Sequence, residues 1–125
     1  MGAEKAIIAS QAGAGLHIQH FNDTVVVKLR LTADDEGFWL LLGRVKILNQ
    51  DGDPQIAHAK LVHQQDVVLD DVDLFLDDSH ETEFVLRAGL GIGVSELITL
   101  QCNTFNGTVR LGSIVALKVG HLEFQ

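Results

Sequence analysis

Asn49, Asp51 and Asp53 place hard oxygen donors at alternating positions, as at the start of a calcium loop. Such a loop needs Gly at its sixth position and a bidentate carboxylate at its twelfth, where this chain has Pro54 and Lys60. N-Q-D-G-D-P is also a strong turn sequence without metal, and the turn is the preferred reading. Asp70, Asp71, Asp73, Asp77 and Asp78 form a second acidic group. Asp71 and Asp73 share a face if the segment is extended, an arrangement suited to a cation or to acid–base chemistry. No nucleophile accompanies them, and a solvated face that blunts edge pairing accounts for them.

The six histidines do not form a metal set. His17 and His20, like His58 and His63, are oddly spaced and fall on opposite faces of an extended segment. The single Cys102 supplies no cysteine-rich site and reads as a small core residue. Chelation would need donors from different strands, or one His repeated around a three-fold axis. Gly89-x-Gly91-x-Gly93 lacks the spacing and the following helix of a dinucleotide loop and reads as a bend between strands. No metal, cofactor or catalytic residue is assigned, and the chain is read as a non-enzyme.

Binding is the chemistry left. Asn103, Phe105 and Asn106 form one polar loop with a single aromatic, and Asn49, Asp51 and Asp53 lie in another. Amides and carboxylates can bind sugar hydroxyls while an aromatic face packs on sugar C–H groups. These six residues are the candidate ligand contacts. Asn22-Asp23-Thr24 and Asn106-Gly107-Thr108 are glycosylation sequons by pattern, relevant only in a glycosylating compartment.

The loops need a scaffold, and the runs between them predict an all-β one. The chain has 125 residues, is 46% apolar and contains a single Pro. Helical periodicity is almost absent, and short runs rich in Val, Ile, Leu and Phe alternate with Gly and Asx turns. They predict about eight to ten antiparallel strands in one jelly-roll β-sandwich domain over residues 1–125. Expected strands include Ala6–Ala9, Leu16–Phe21, Thr24–Leu31, Phe38–Leu48, Ile56–His63, Val67–Leu69, one carrying Val72, Leu74 and Leu76, Thr82–Leu86, Glu96–Cys102, Thr108–Leu111 and Ile114–Val119. In Thr24–Leu31, Val25, Val27, Leu29 and Leu31 are expected inward.

Phe38-Trp39-Leu40-Leu41-Leu42 breaks the alternation, as does Ile114–Val119, which is apolar on both faces apart from Lys118. A strand apolar on both faces needs cover on both. The expectation is burial by other copies of the chain, with Phe38, Leu40, Leu42, Ile114 and Ala116 at the interface. A net charge of −8 argues against nucleic acid and anionic membrane surfaces as partners. No apolar run reaches the length of a membrane span, and the N-terminal stretch does not have the form of a secretion signal. A soluble protein is expected, with no compartment assigned.

Gly37-Phe38-Trp39, Phe84-Val85-Leu86 through Leu100, and Ile114–Val119 resemble, in order, the opening, middle and closing strands of the tumour-necrosis-factor and complement globular-head jelly rolls. Gly37-Phe38, Asn49, Leu61, Leu100-Gln101-Cys102 and Ala116 through Leu122 are similar to a pattern in small uncharacterised bacterial β-sandwich domains. The resemblance implies a jelly roll that assembles as a homotrimer and binds rather than catalyses. Carbohydrate or a cell-surface protein would be the partner. The alternatives are a purely structural subunit of a virion, spore coat or appendage and, behind it, a cupin-like metal enzyme. The last is disfavoured because no H-x-H step occurs.

Overall fold

In the computed structural model the described residues are 3–32, 37–64, 66–77, 80–92 and 95–119. The expected acidic turn at Ala33–Gly37 lies outside them except for Gly37. So do Asp78, Gly93 and the Gly120-His121-Leu122 end of the closing pattern.

Period-two burial builds the strands. Along Gly37–Asn49, Trp39, Leu41, Gly43, Val45, Ile47 and Asn49 are buried while Leu40, Leu42 and Arg44 are exposed. Among the described residues eight strands result: β1 (Ala3–Gln19), β2 (Thr24–Leu31), β3 (Gly37–Asn49), β4 (Gln55–His63), β5 (Val67–Leu76), β6 (Glu81–Ile92), β7 (Glu96–Thr104) and β8 (Asn106–Val119). They form two four-stranded antiparallel sheets, ordered β1-β8-β3-β6 and β2-β7-β4-β5. Only the β4–β5 link stays within a sheet; every other connection crosses between sheets. Eight strands in two sheets with these crossings make a jelly roll. The core between the sheets holds Trp39, Val45, Ile47 and Phe84 from the first and Leu61, Leu76, Ile98 and Leu100 from the second.

Several expected breaks are absent. The two short N-terminal strands are one strand, β1, with a register shift between Ala12 and Leu16. Val67–Leu69 continues into the next run as β5, and β6 passes through Gly89 and Gly91. β8 runs unbroken through Gly112. Glycine looked like punctuation there but provides room. A Cβ on Gly112 would lie 2.3 Å from Val26 Cγ1, so Gly112 lets the second sheet approach the first.

Val26 reaches that position because β2 carries a bulge between Val25 and Val27. The bulge turns Val26 and Val27 inward, at 4% and 5% exposure, and leaves Val25 outside, where strict alternation had placed it inside.

The cover expected over the outer face of β3 is not supplied within the chain's described residues. β3 alternates throughout, and among the described residues nothing lies over its outer face, where Leu40 and Leu42 are 43% and 37% exposed. Ile114 and Ala116 were expected at an interface between copies. Both are fully buried in the core, because the inward phase of β8 falls on them; Leu117 takes the outer position.

Candidate functional site

The β1–β2, β3–β4, β5–β6 and β7–β8 connections meet at one end of the sandwich; a polar network centred on buried Asn49 and Gln55 ties the last three together and reaches β1 through His17. Asn49, 3% exposed, donates through Nδ2 to the carbonyls of Asp53 (3.0 Å), Leu76 (3.2 Å) and Asp77 (3.0 Å). Its Oδ1 accepts from the Asp51 amide at 2.8 Å and from Gln55 Nε2. Gln55 Oε1 accepts from Thr104 Oγ1 (2.7 Å) and the Asn106 amide (2.8 Å). Asn106 Oδ1 meets His17 Nε2 at 2.7 Å, and Asn106 Nδ2 donates to the Gln50 carbonyl at 3.3 Å.

The two loops proposed as ligand contacts are therefore neighbours, but their roles divide. Asn49 is a structural tie whose acceptor and donors are all engaged, so it is not a ligand contact. Asn106 is half-buried and held in the same way. Asp53 is exposed and Asp51 half-buried beside them. Among the described residues no group of three or more His, Cys, Asp or Glu is placed to hold a metal ion.

Phe105 is the single residue between β7 and β8 and is 44% exposed. The His20 ring meets it edge-on at 5.7 Å and the Phe21 ring is tilted at 6.2 Å. His20 and Phe21 have φ of 57° and 56°, and the Asn22 amide donates to the Gln19 carbonyl at 3.1 Å. Positive φ at both central residues is what a type I′ hairpin turn demands, and Asn-Gly ordinarily supplies it. A bulky Phe there is strained by about 1–3 kcal/mol. The turn is held against β7 by bonds from the His20 and Phe21 amides to the Phe105 and Thr104 carbonyls, at 2.8 and 2.9 Å.

Asn103 lies on a different surface from Asn106. It belongs to a concave cleft of about 320 Å³ on the outer face of the second sheet, lined by Asp23, His58, Lys60, Asp71, Asp73, Gln101 and Asn103. Strand register explains the grouping. Asp73, His58 and Asn103 form one cross-strand row, and Asp71, Lys60 and Gln101 the next on the same face. Asn103 Nδ2 donates to Asp23 Oδ1 at 2.6 Å, Lys60 Nζ lies 3.4 Å from Asp23 Oδ2, and His58 Nδ1 pairs with Asp73 Oδ1. The Asn103 hydrogen bond holds the Asp23 carboxyl below the ordinary carboxylate value; Lys60 adds to this and partial burial opposes it. Phe21, 48% exposed, borders the cleft with its ring 6.4 Å from that of His58.

The acidic run divides by strand geometry. Asp71 and Asp73 line the cleft, while Asp70 Oδ2 accepts from the Arg87 amide at 2.9 Å, covering the open edge of β6. In the sequence His58 stands only as a dismissed metal donor, Lys60 as a residue that breaks a calcium loop and Asp23 within a sequon; neither these nor Gln101 are candidate ligand contacts there. Their signal was present as polar i, i+2 pairs on β4, β5 and β7: 58/60, 71/73 and 101/103. Cys102, between two cleft residues, points the other way; burial pushes its thiol up to about 12, as suits a core residue.

The first sheet's outer face has opposite chemistry. Leu40 pairs with Leu117 and Gly89, Leu42 with Val115 and Arg87, and Phe38 with Val119 and Gly91. Ile8, 67% exposed, continues the Leu42 row beyond Val115. A Cβ on Gly89 would lie 2.8 Å from Phe38 Cζ, so the Phe38 ring rests across Gly89. Further along the strand the face turns polar, with Arg44 Nη2 bridging to Glu83 Oε1 at 2.7 Å.

The topology is shared with known proteins. A chain in the structure of infectious bursal disease virus Gx strain superposes with a TM-score of 0.56 and 9% identity, over 94% of this chain and 33% of that one. The structure of Eiger TNF from S. frugiperda matches with a TM-score of 0.54 and 10% identity, over 95% of this chain and 96% of that one. The likeness is one of fold, and the present chain spans about a third of the virus chain. The sequence matches no protein-family model and no curated protein. Among the described residues no helix is long and apolar enough to cross a membrane.

Proposed function

We propose that residues 1–125 act as one non-catalytic recognition and assembly domain. It forms a homotrimer through the outer face of the first sheet and presents the second sheet to carbohydrate or a cell-surface partner. The observation that carries the assembly is the apolar face around Phe38, Leu40, Leu42 and Leu117, with Leu40, Leu42 and Leu117 each more than a third exposed. A contiguous apolar patch framed by Arg44 and Arg87 has the composition of an interface core with a charged rim. The TNF-like topology supports a trimer. The similarity to small bacterial β-sandwich domains belongs to this proposal as well.

Light scattering on a sizing column, over a dilution series, tests the reading. The expected mass is three chains, stable on dilution. A monomer at every concentration overturns the assembly. A purely structural subunit is the second reading, favoured by the same apolar face, and its sign is a stable multimer that binds no glycan.

A further inference from the structure

The cleft on the second sheet has a shape and chemistry that the recognition reading alone does not specify. We infer that it binds a neutral sugar, one pyranose ring lodging among Asp23, His58, Asp73 and Asn103 with a face against Phe21. This rests on the recognition reading above and names the place and class of its ligand.

Three features of the cleft support this. Its volume of about 320 Å³ lies at the small end of the range for small-molecule sites, which suits a monosaccharide unit. Its polar groups are mixed: Asp23, Asp71 and Asp73 accept, Lys60 donates, and the Gln101 and Asn103 amides do both. A sugar hydroxyl also donates and accepts, so a polyol can satisfy both kinds of group without bringing in a charge. The charges then narrow the class. Three carboxylates face Lys60 and His58, which disfavours phosphate, sulfate and acidic sugars. The carboxylates outnumber Lys60, which is itself paired with Asp23, so charge alone does not reject an amine, and glucosamine is the probe that separates an amino sugar from a neutral one.

Phe21 supplies the apolar surface. Nearly half exposed, it occupies a left-handed position that an Asn-Gly turn would fill without strain. The strained turn brings the ring to the His58 side of the cleft, where it can pack on sugar C–H groups.

The test uses the full chain. Neutral glycans on an array, and methyl glycosides of mannose, galactose and glucose followed by saturation-transfer NMR and calorimetry, are compared with glucosamine and N-acetylneuraminic acid. Saturable binding of a neutral sugar, tighter than both charged probes, is expected. Asn103→Ala and Phe21→Gly should each weaken it by about tenfold or more. Phe21→Gly relieves the left-handed strain but loses the ring contact with Phe105, so its urea midpoint is recorded beside the binding, and a midpoint like the parent's assigns the lost affinity to the ring. The inference is overturned if no neutral sugar binds, if a charged probe binds more tightly, or if both variants bind like the parent. Scattering mass on the same samples separates the two proposals. An intact trimer without sugar binding defeats only the cleft, and a sugar-binding monomer defeats only the assembly.

Discussion

The two outer faces of this sandwich are built on the same alternation and differ almost completely. On the first sheet the positions opposite the core carry Phe38, Leu40, Leu42, Val115 and Leu117; on the second they carry His58, Lys60, Asp71, Asp73, Gln101 and Asn103. Both sets of inward partners are apolar, Trp39 and Leu41 on one side, Ala59, Leu61 and Leu100 on the other. The core thus constrains only half of each strand. The other half is free of the packing requirement, and the contrast between the two outer faces shows where this molecule directs its surface chemistry.

The largest expected effect comes from making the first face resemble the second. Leu40→Asp with Leu42→Asp places two carboxylates at the centre of the apolar patch. The scattering mass should fall to one third while the cleft keeps its ligand. An unchanged mass would show that this face is not the interface.

Next in size is Asn49→Ala, which undermines the polar end beside the second face. It leaves the carbonyls of Asp53, Leu76 and Asp77 without their side-chain donor. A loss of about 2–4 kcal/mol is expected from urea unfolding. A loss below about 1 kcal/mol would mean that water replaces the amide.

Asp23→Asn sharpens the comparison through pH. The folded Asp23 carboxyl titrates below its ordinary 3.8, so its contribution to stability is present above that value and is lost as pH falls through the lower folded value. The variant should lack this component and show a shallower acid limb in urea midpoints recorded down the pH scale. An acid limb as steep as the parent's would assign the slope to other carboxylates. Lys60→Met should have the smallest effect. Its pair with Asp23 is exposed, so the change in unfolding free energy should stay under about 1 kcal/mol with the mass unaltered.

Much of the framework was legible because burial imposes a period of two. The span Thr24–Leu31 is β2 as expected, and β3 and β4 lie within a residue of their expected limits. What misled was glycine. Gly89 and Gly112 look like breaks, yet each is a place where Phe38 or Val26 needs room. Phe38 to Leu42, apolar throughout, alternates in burial like its neighbours, and its outer leucines have no cover from the described residues of this chain. For the candidate site, the expected loop Asn103–Asn106 divides: Asn103 lies on β7 in the cleft, Phe105 stands outside it, and Asn49 is a structural tie. An Asn within a turn sequence has the same letters whether its amide faces solvent or closes three carbonyls.

The sequence by itself determined an all-β sandwich, the inward half of most strands and the absence of any local catalytic motif, because these depend on neighbours along the chain. Only the tertiary structure decided that Asp23, His58, Asp73 and Asn103 share a cleft, that Asn49, Gln55 and Asn106 tie three loops together, and that Ile114 and Ala116 belong to the core. Those relations depend on strand order, register and the bulge in β2. A single-residue slip in register would move a side chain from one face to the other, and long-range pairing settles the register.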